Sequence, residues 1–228
     1  MAITFSGTSQ YYLTTTTPVT GAPLTYATWG NVGIDGNVVA MAIGGSGGST
    51  EALVLRHNAT TRGVSMRAES TVGGTDQSVT GTMVTGTWGH MCGTSSASNN
   101  RIAYFNGAAG TANTQTNAPA SLDRVGIGSV ADSSPAQGEW NGDLFWVAIW
   151  DVALTAAQVQ NLADGFSPLT VQRQNLVFFA RCEYPGPVDM IGYRTLAATG
   201  TPTVSANPNG VMRVLPRGRG RARLRVSA

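Results

Sequence analysis

The sequence predicts an all-β fold, an antiparallel two-sheet sandwich with one short helix and an extended C-terminal arm. Three observations lead there. Short apolar runs recur between clusters of Gly, Asn, Asp, Ser and Pro, which is the spacing of strands and tight turns, not of strands alternating with helices. Charged residues make up 11% of the chain, against about 25% in an average soluble domain, and 29 Gly with many Thr and Ser supply turns and uncharged polar surface. Helix start and stop signals converge at a single place.

Taken in chain order, strands are expected near Ile3–Phe5, Tyr11–Thr14, Leu24–Trp29, Val38–Ile43, Ala52–Arg56, Val64–Ala68, Gly89–Thr94, Ile102–Phe105, Val125–Ile127 and Leu144–Trp150. Asn106-Gly107 directly follows RIAYF and tolerates the positive φ angles of a type I′ turn, so it closes a hairpin. Asp35-Gly36 reads as a similar turn. The helix is expected over about 156–164. Thr155 caps its free amides, Gln158 reaches back in a capping box, and Leu154 and Val159 form a hydrophobic staple. Leu162 continues the apolar face, and Gly165 supplies the left-handed stop.

Beyond Pro168, NLVFFARC reads as one more buried strand, followed by a stretch rich in Pro, Gly, Thr and Asn without helical periodicity. The division expected is a sandwich over 1–168, an extension packed on it over 169–210, and an arm over 211–228. The chain holds no Lys, so all 14 basic residues are Arg. Six of them (Arg213, Arg217, Arg219, Arg221, Arg223 and Arg225) lie in the last sixteen residues, leaving eight Arg against 12 acids in the body, a net of −4. In an extended arm, alternation puts these Arg on one face. Such an arm seeks an acidic partner surface. Cys92 and Cys182 are too few for a disulfide framework, and Cys92 is expected as a small buried thiol. MAITFSGTSQYYL lacks a basic start and an apolar h-region, so no secretory signal is expected, and no apolar run approaches the length of a membrane span.

Several segments together resemble laminin-G-like domains of the concanavalin A-like lectin/glucanase superfamily. ITFSGTSQYYL resembles the opening strand, APLTYATWGNV the next, and GTWGHMCGTSS the Trp-x-His strand, with Trp88 and His90 in place. RIAYFNGAAG resembles the Tyr-hydrophobic-Asn-Gly hairpin, RVGIGS a short strand, and NGDLFWVAIWDVALTAAQVQNL the closing strand and its helix. The resemblance implies a jelly-roll sandwich over about residues 1–165. Where such domains often carry an acidic pair, this chain has Phe145-Trp146. LFWVAIW is therefore apolar on both faces, and its second face needs cover from the C-terminal extension or from a partner. The segment LVFFARCEYPGPVDMIGYRTLAATGTPTVSANP resembles an extension found in laminin-G-like proteins of bacteriophages.

The chemistry of catalysis is thin. Glycosidases of this superfamily use carboxylates clustered as Glu-x-Asp-x-x-Glu, because the reaction needs a pair at fixed separation. This chain has four Glu (Glu51, Glu69, Glu139 and Glu183), none two residues before an Asp. His90 is expected as a packed, hydrogen-bonded residue and His57 as exposed. Asp35, Asp76, Asp123, Asp132 and Asp143 are singletons in or near loops. They are read as solvated turn residues rather than as a Ca²⁺ site, which needs six to eight converging oxygens. No metal or catalytic residue is assigned. Nucleic-acid binding rests on the tail alone, and the body shows no basic patch or aromatic-basic motif.

The resemblance and the tail lead to one expectation: a non-enzymatic virion protein, such as a capsid decoration or cement protein, binding major capsid or other virion subunits as a homo-oligomer on the particle. Its contacts would be the six tail Arg with Phe145 and Trp146. The alternative is a carbohydrate-binding adhesive module on a phage tail or fibre, for which Trp140 with Asn141 is the kind of pair on which a sugar face stacks.

Overall fold

The computed structural model describes residues 1–46, 51–70, 74–130, 138–183 and 186–205. The strands are β1 (Ala2–Ser6), β2 (Tyr11–Thr14), β3 (Leu24–Val32), β4 (Val38–Gly44), β5 (Ala52–His57), β6 (Val64–Ser70), β7 (Gly74–Thr80) and β8 (Trp88–Ala97). They continue with β9 (Asn100–Phe105), β10 (Ala108–Ala109), β11 (Arg124–Ile127) and β12 (Asn141–Trp150). The helix α1 (Ala156–Ala163) precedes β13 (Leu176–Arg181), β14 (Ala197–Thr199) and β15 (Thr203–Ser205).

Two antiparallel sheets face each other. The first runs β10-β9-β8-β3-β12-β1-β15, with β13 beside the second half of β12; the second runs β14-β2-β11-β4-β5-β6-β7. β3 and β4 belong to different sheets. Asp35-Gly36 thus lies on a crossover between sheets, not in a hairpin. Asn106-Gly107 does close a hairpin, with φ of 49° and 84°, between β9 and β10.

The inner core lies between the sheets and follows strand alternation: Ile3 and Phe5, Met41 and Ile43, Leu53 and Leu55, Val125 and Ile127. A second core lies on the outer face of the first sheet. β12 creates it by breaking its own alternation. Leu144 pairs with Gly30 and Val147 with Thr28, so three residues of β12 span two of β3. This bulge points Leu144 and Val147 inward, while Phe145 and Trp146 join the outer core with Ala148 and Trp150.

The outer core is roofed by Val159 and Leu162 of α1 and by Val171, while Leu176 and Phe179 extend its floor along β13. α1 forms as its sequence dictates: Thr155 and Gln158 make a reciprocal capping box, and Gly165 takes a φ of 90°. Leu154 and Val159 both reach the outer core. The extension does more than cover. β13 joins the first sheet, β14 pairs with β2 in the second, and β15 pairs with β1 in the first, so one short hairpin-like segment ties the edges of both sheets together. Between β13 and β14, buried Asp189 accepts hydrogen bonds from the amides of Phe179, Ile191 and Gly192 at 3.1–3.2 Å and from Arg194 at 2.7 Å.

Candidate functional site

At one end of the sandwich three rim segments and the start of β5 enclose a cavity of about 270 Å³. The segments are the β2–β3 loop (Thr20, Gly21, Ala22), the β8–β9 hairpin (Ser95, Ser98) and the loop after β10 (Asn117, Ala118, Pro119). Leu53, Ala22, Ala118 and Pro119 make an apolar wall, while Thr20, Ser95, Ser98, Asn117 and Arg101 supply polar groups.

Arg101 builds this site. Alternation along β9 turns Ala103 and Phe105 toward the inner core and Ile102 and Tyr104 to the outer one, so Arg101 also faces inward, where it is 1% exposed. Its guanidinium gathers oxygens from the surrounding loops. Nη1 donates to the carbonyls of Ser98 and, at 3.1 Å, Asn117; Nη2 donates to Asn113 Oδ1 at 2.8 Å and to the Gln115 carbonyl at 2.6 Å. The same loop is pinned by backbone bonds between Arg101 and Asn113, by the Asn117 amide on the Ser98 carbonyl at 2.9 Å, and by the Ala120 amide on Glu51 Oε2 at 2.7 Å. A planar five-donor fork can hold several carbonyls at once in a way no Lys can. The rim is therefore preformed. Below it, burial pushes the hydroxyl of Tyr26 well above the ordinary tyrosine range, and the positive charge of Arg101 opposes part of that shift.

Two hydroxyls remain available at the cavity. Those of Thr20, exposed, and Ser98, half-buried, make no hydrogen bond with the described residues. The Ser95 hydroxyl is used on the Ala97 carbonyl at 3.0 Å.

The residues singled out in the sequence lie elsewhere. Phe145 and Trp146 are 5% and 1% exposed in the outer core; the bulge and the extension that cover them leave no surface for a partner. The six tail Arg (Arg213, Arg217, Arg219, Arg221, Arg223 and Arg225) lie outside the described residues, as do Asp76 (its side chain) and Asp132. Trp140 is not a stacking surface: it is fully buried in the inner core, with its indole N–H directed to the Asp143 carbonyl at 3.3 Å. His57, expected outside, is also fully buried, because strand β5 extends to include it; Nδ1 meets the Gly36 carbonyl at 2.8 Å. His90 is buried as expected, yet neither ring nitrogen has a hydrogen-bond partner among the described residues. Asp143 sits within β12 and accepts from Thr4 and Asn31; Asp35 pairs with Arg62 and Asp123 with Arg124. Among the described residues no three His, Cys, Asp or Glu converge as metal ligands. Cys92 and Cys182 are both buried free thiols, and burial pushes both up from the usual thiol range.

Arg101, Thr20 and Ser98 were not singled out in the sequence. A signal for Arg101 was present: in RIAYF it is the one charge on the face that Ala103 and Phe105 turn to the core. Thr20 and Ser98 carry no such signal, since loop hydroxyls are common.

The family model of the concanavalin A-like lectin/glucanases superfamily (Laminin_G_3) matches residues 6–160. No curated protein matches the chain. Among solved structures, a Bacteroides ovatus protein assigned as carbohydrate binding superposes with a TM-score of 0.62 at 19% identity over 92% of this chain, which spans 61% of that protein. The chain thus covers about three-fifths of that relative. Domain 4 of an extracellular arabinanase from Geobacillus stearothermophilus, in complex with arabinotriose, gives 0.55 at 17% identity, over 71% of this chain and 76% of its own. The sialidase module CBM40 of Ruminococcus gnavus, bound to α2,3-sialyllactose, gives 0.57 at 12% identity, over 71% and 96%. At these identities the likeness is one of fold. Together with the family match over well more than half of its length, the two-sheet sandwich places this chain in the laminin-G-like branch of the concanavalin A-like lectin/glucanase superfamily.

Proposed function

We propose that this protein is a non-catalytic carbohydrate-binding module that takes its ligand in the rim cavity. The observation that carries the reading is the combination at that cavity: a loop fixed by buried Arg101, two unspent hydroxyls on Thr20 and Ser98, and an apolar wall on Leu53 and Pro119. Small-molecule sites are concave, largely preformed and mostly apolar, with a few placed polar groups. A sugar presents the matching surface, hydroxyls at its edge and C–H groups on its faces. The fold neighbours that carry a sugar or a sugar-binding description support the same reading.

The absence of a carboxylate pair at the site supports a binding role over hydrolysis. Among the described residues no Asp or Glu lines the cavity. Glu51 is engaged with the rim loop, Glu69 with Arg67 and Glu183 with Arg181. A retaining or inverting glycosidase needs two carboxyl groups roughly 5–10 Å apart across the bond it cleaves. The particle-surface role is set behind this reading, because Phe145 and Trp146 are committed to the outer core.

The test is equilibrium binding to an immobilised glycan panel, with the double variant Thr20→Ala/Ser98→Ala beside the wild type. Binding above background that weakens at least tenfold in the variant, with no release of reducing sugar, is the expected result. Binding to no glycan, or turnover of one, would overturn the proposal.

A further inference from the structure

We infer that the cavity reads the end of a glycan, admitting one terminal ring, and does not bind along the interior of a chain. This rests on the carbohydrate-binding reading above and adds the class of ligand to it.

A module that grips the middle of a polysaccharide needs an open surface several sugars long. Over β3, β8 and β12 of the first sheet and β4 to β6 of the second, the described residues leave no such surface. The outer face of the first sheet is filled by the aromatic core under α1 and the segment around Val171. On the second sheet the outward-facing Val39, Ala42 and Val54 are only 3%, 1% and 1% exposed and pack with Val130, and Ser65 on the neighbouring strand is fully buried. The end of the sandwich is what remains.

The cavity there is small. Its 270 Å³ falls below the roughly 300–1,000 Å³ of sites that enclose drug-sized ligands. Its described lining comes from three loop segments and the start of β5, an arrangement that suits entry of one ring better than passage of a chain. Its chemistry agrees. None of its described lining residues is aromatic, so it lacks the flat platform on which internal rings stack. What it offers is hydrogen bonding at the edge of a ring, from Thr20 and Ser98, against a short apolar wall. Those contacts discriminate hydroxyl pattern, and a terminal ring presents more free hydroxyls than an internal one.

The experiment is a calorimetric titration of the full chain with a panel of methyl glycosides, then with di- and trisaccharides and polysaccharide sharing the best terminal ring. Affinity is expected to change less than about threefold from one ring to three, and more than tenfold when only the terminal ring is exchanged. The variant Ala118→Trp, which places bulk at the cavity mouth, should abolish binding of glycoside and polysaccharide alike. Affinity rising tenfold with each added ring, or polysaccharide binding that survives Ala118→Trp, would overturn terminal recognition while leaving a carbohydrate-binding role standing. Failure of every sugar, of any length, to bind would remove both.

Discussion

The two cores of this protein bury comparable strands by different means. The inner core is closed by the two sheets and filled mostly by aliphatic side chains that alternate along their strands except at the bulges in β4 and β12. The outer core has one sheet beneath it and a roof of helix, turns and extension, and its floor is a row of rings. Trp29, His90, Trp146 and Phe179 follow one another across β3, β8, β12 and β13 at centroid distances of 5.7, 5.9 and 6.5 Å. The inner core lies mostly within the residues that the family match covers, while the outer one also takes Leu162, Val171, Leu176 and Phe179 from beyond position 160. A sandwich that carries a third layer must mark it in sequence, and here the mark is a strand apolar on both faces.

The largest effect is expected from truncating the outer floor. Trp150 is fully buried and its indole N–H donates to the Val171 carbonyl in the roof at 2.9 Å. Trp150→Ala should cost about 4 kcal/mol, against about 3 kcal/mol for Ile149→Ala on the inner face of the same strand. If the layers form one cooperative unit, chemical denaturation of both variants shows a single transition. A separate early transition in Trp150→Ala alone would show that the roof folds independently.

Asp189 comes next. It holds three amides and Arg194 in the segment that roofs β13. Asp189→Ala leaves those donors unsatisfied and should cost about 3 kcal/mol, read from the denaturation midpoint. A loss under 1 kcal/mol would mean that the segment contributes little to the outer core.

The outer core should also be the acid-sensitive one. Burial alone lowers the pKa of His90 from 6.5 to about 3. Cys92 on β8 and Tyr104 on β9 lie in the same outer core, while Arg181, Asp189 and Arg194 lie in the extension. The unfolded chain therefore binds a proton between these two values that the folded chain refuses. Stability is complete above pH 6.5 and falls by roughly 1.4 kcal/mol for each pH unit below it, down to about pH 3. At pH 5 the contribution is about 2 kcal/mol. His90→Phe, which keeps a ring in the row, should remove that slope between pH 6.5 and 5; an unchanged slope would assign the acid sensitivity to carboxylates instead.

Sequence made much of this visible and hid the rest for identifiable reasons. Most strand positions were legible because inner alternation is largely regular, though β7 was missed, and α1 was legible because its capping box is written in Thr155 and Gln158. The double-sided LFWVAIW pointed to a covered second face. The short strands β14 and β15 were not legible, since their residues are mostly exposed and they form through pairing with β2 and β1. Trp140 misled because a Trp beside Asn and Gly looks like a loop residue, whereas its ring lies under Gly30, where an added Cβ would meet it at 3.0 Å. The cavity was hidden because its parts lie as far apart in sequence as Thr20 and Pro119.

The smallest effect on stability belongs to the rim. Thr20 and Ser98 lack partners among the described residues, so Thr20→Ala and Ser98→Ala should each change stability by less than about 0.5 kcal/mol. They should nevertheless decide binding, which separates a working surface from either core. The most direct measurement is a backbone amide NMR titration with the best ligand of the glycan panel. The account predicts shifts confined to residues near Thr20, Ser98 and Ala118, lost in the double alanine variant whose spectrum is otherwise that of the wild type. Shifts centred on either sheet face, with the rim amides unmoved, would contradict it.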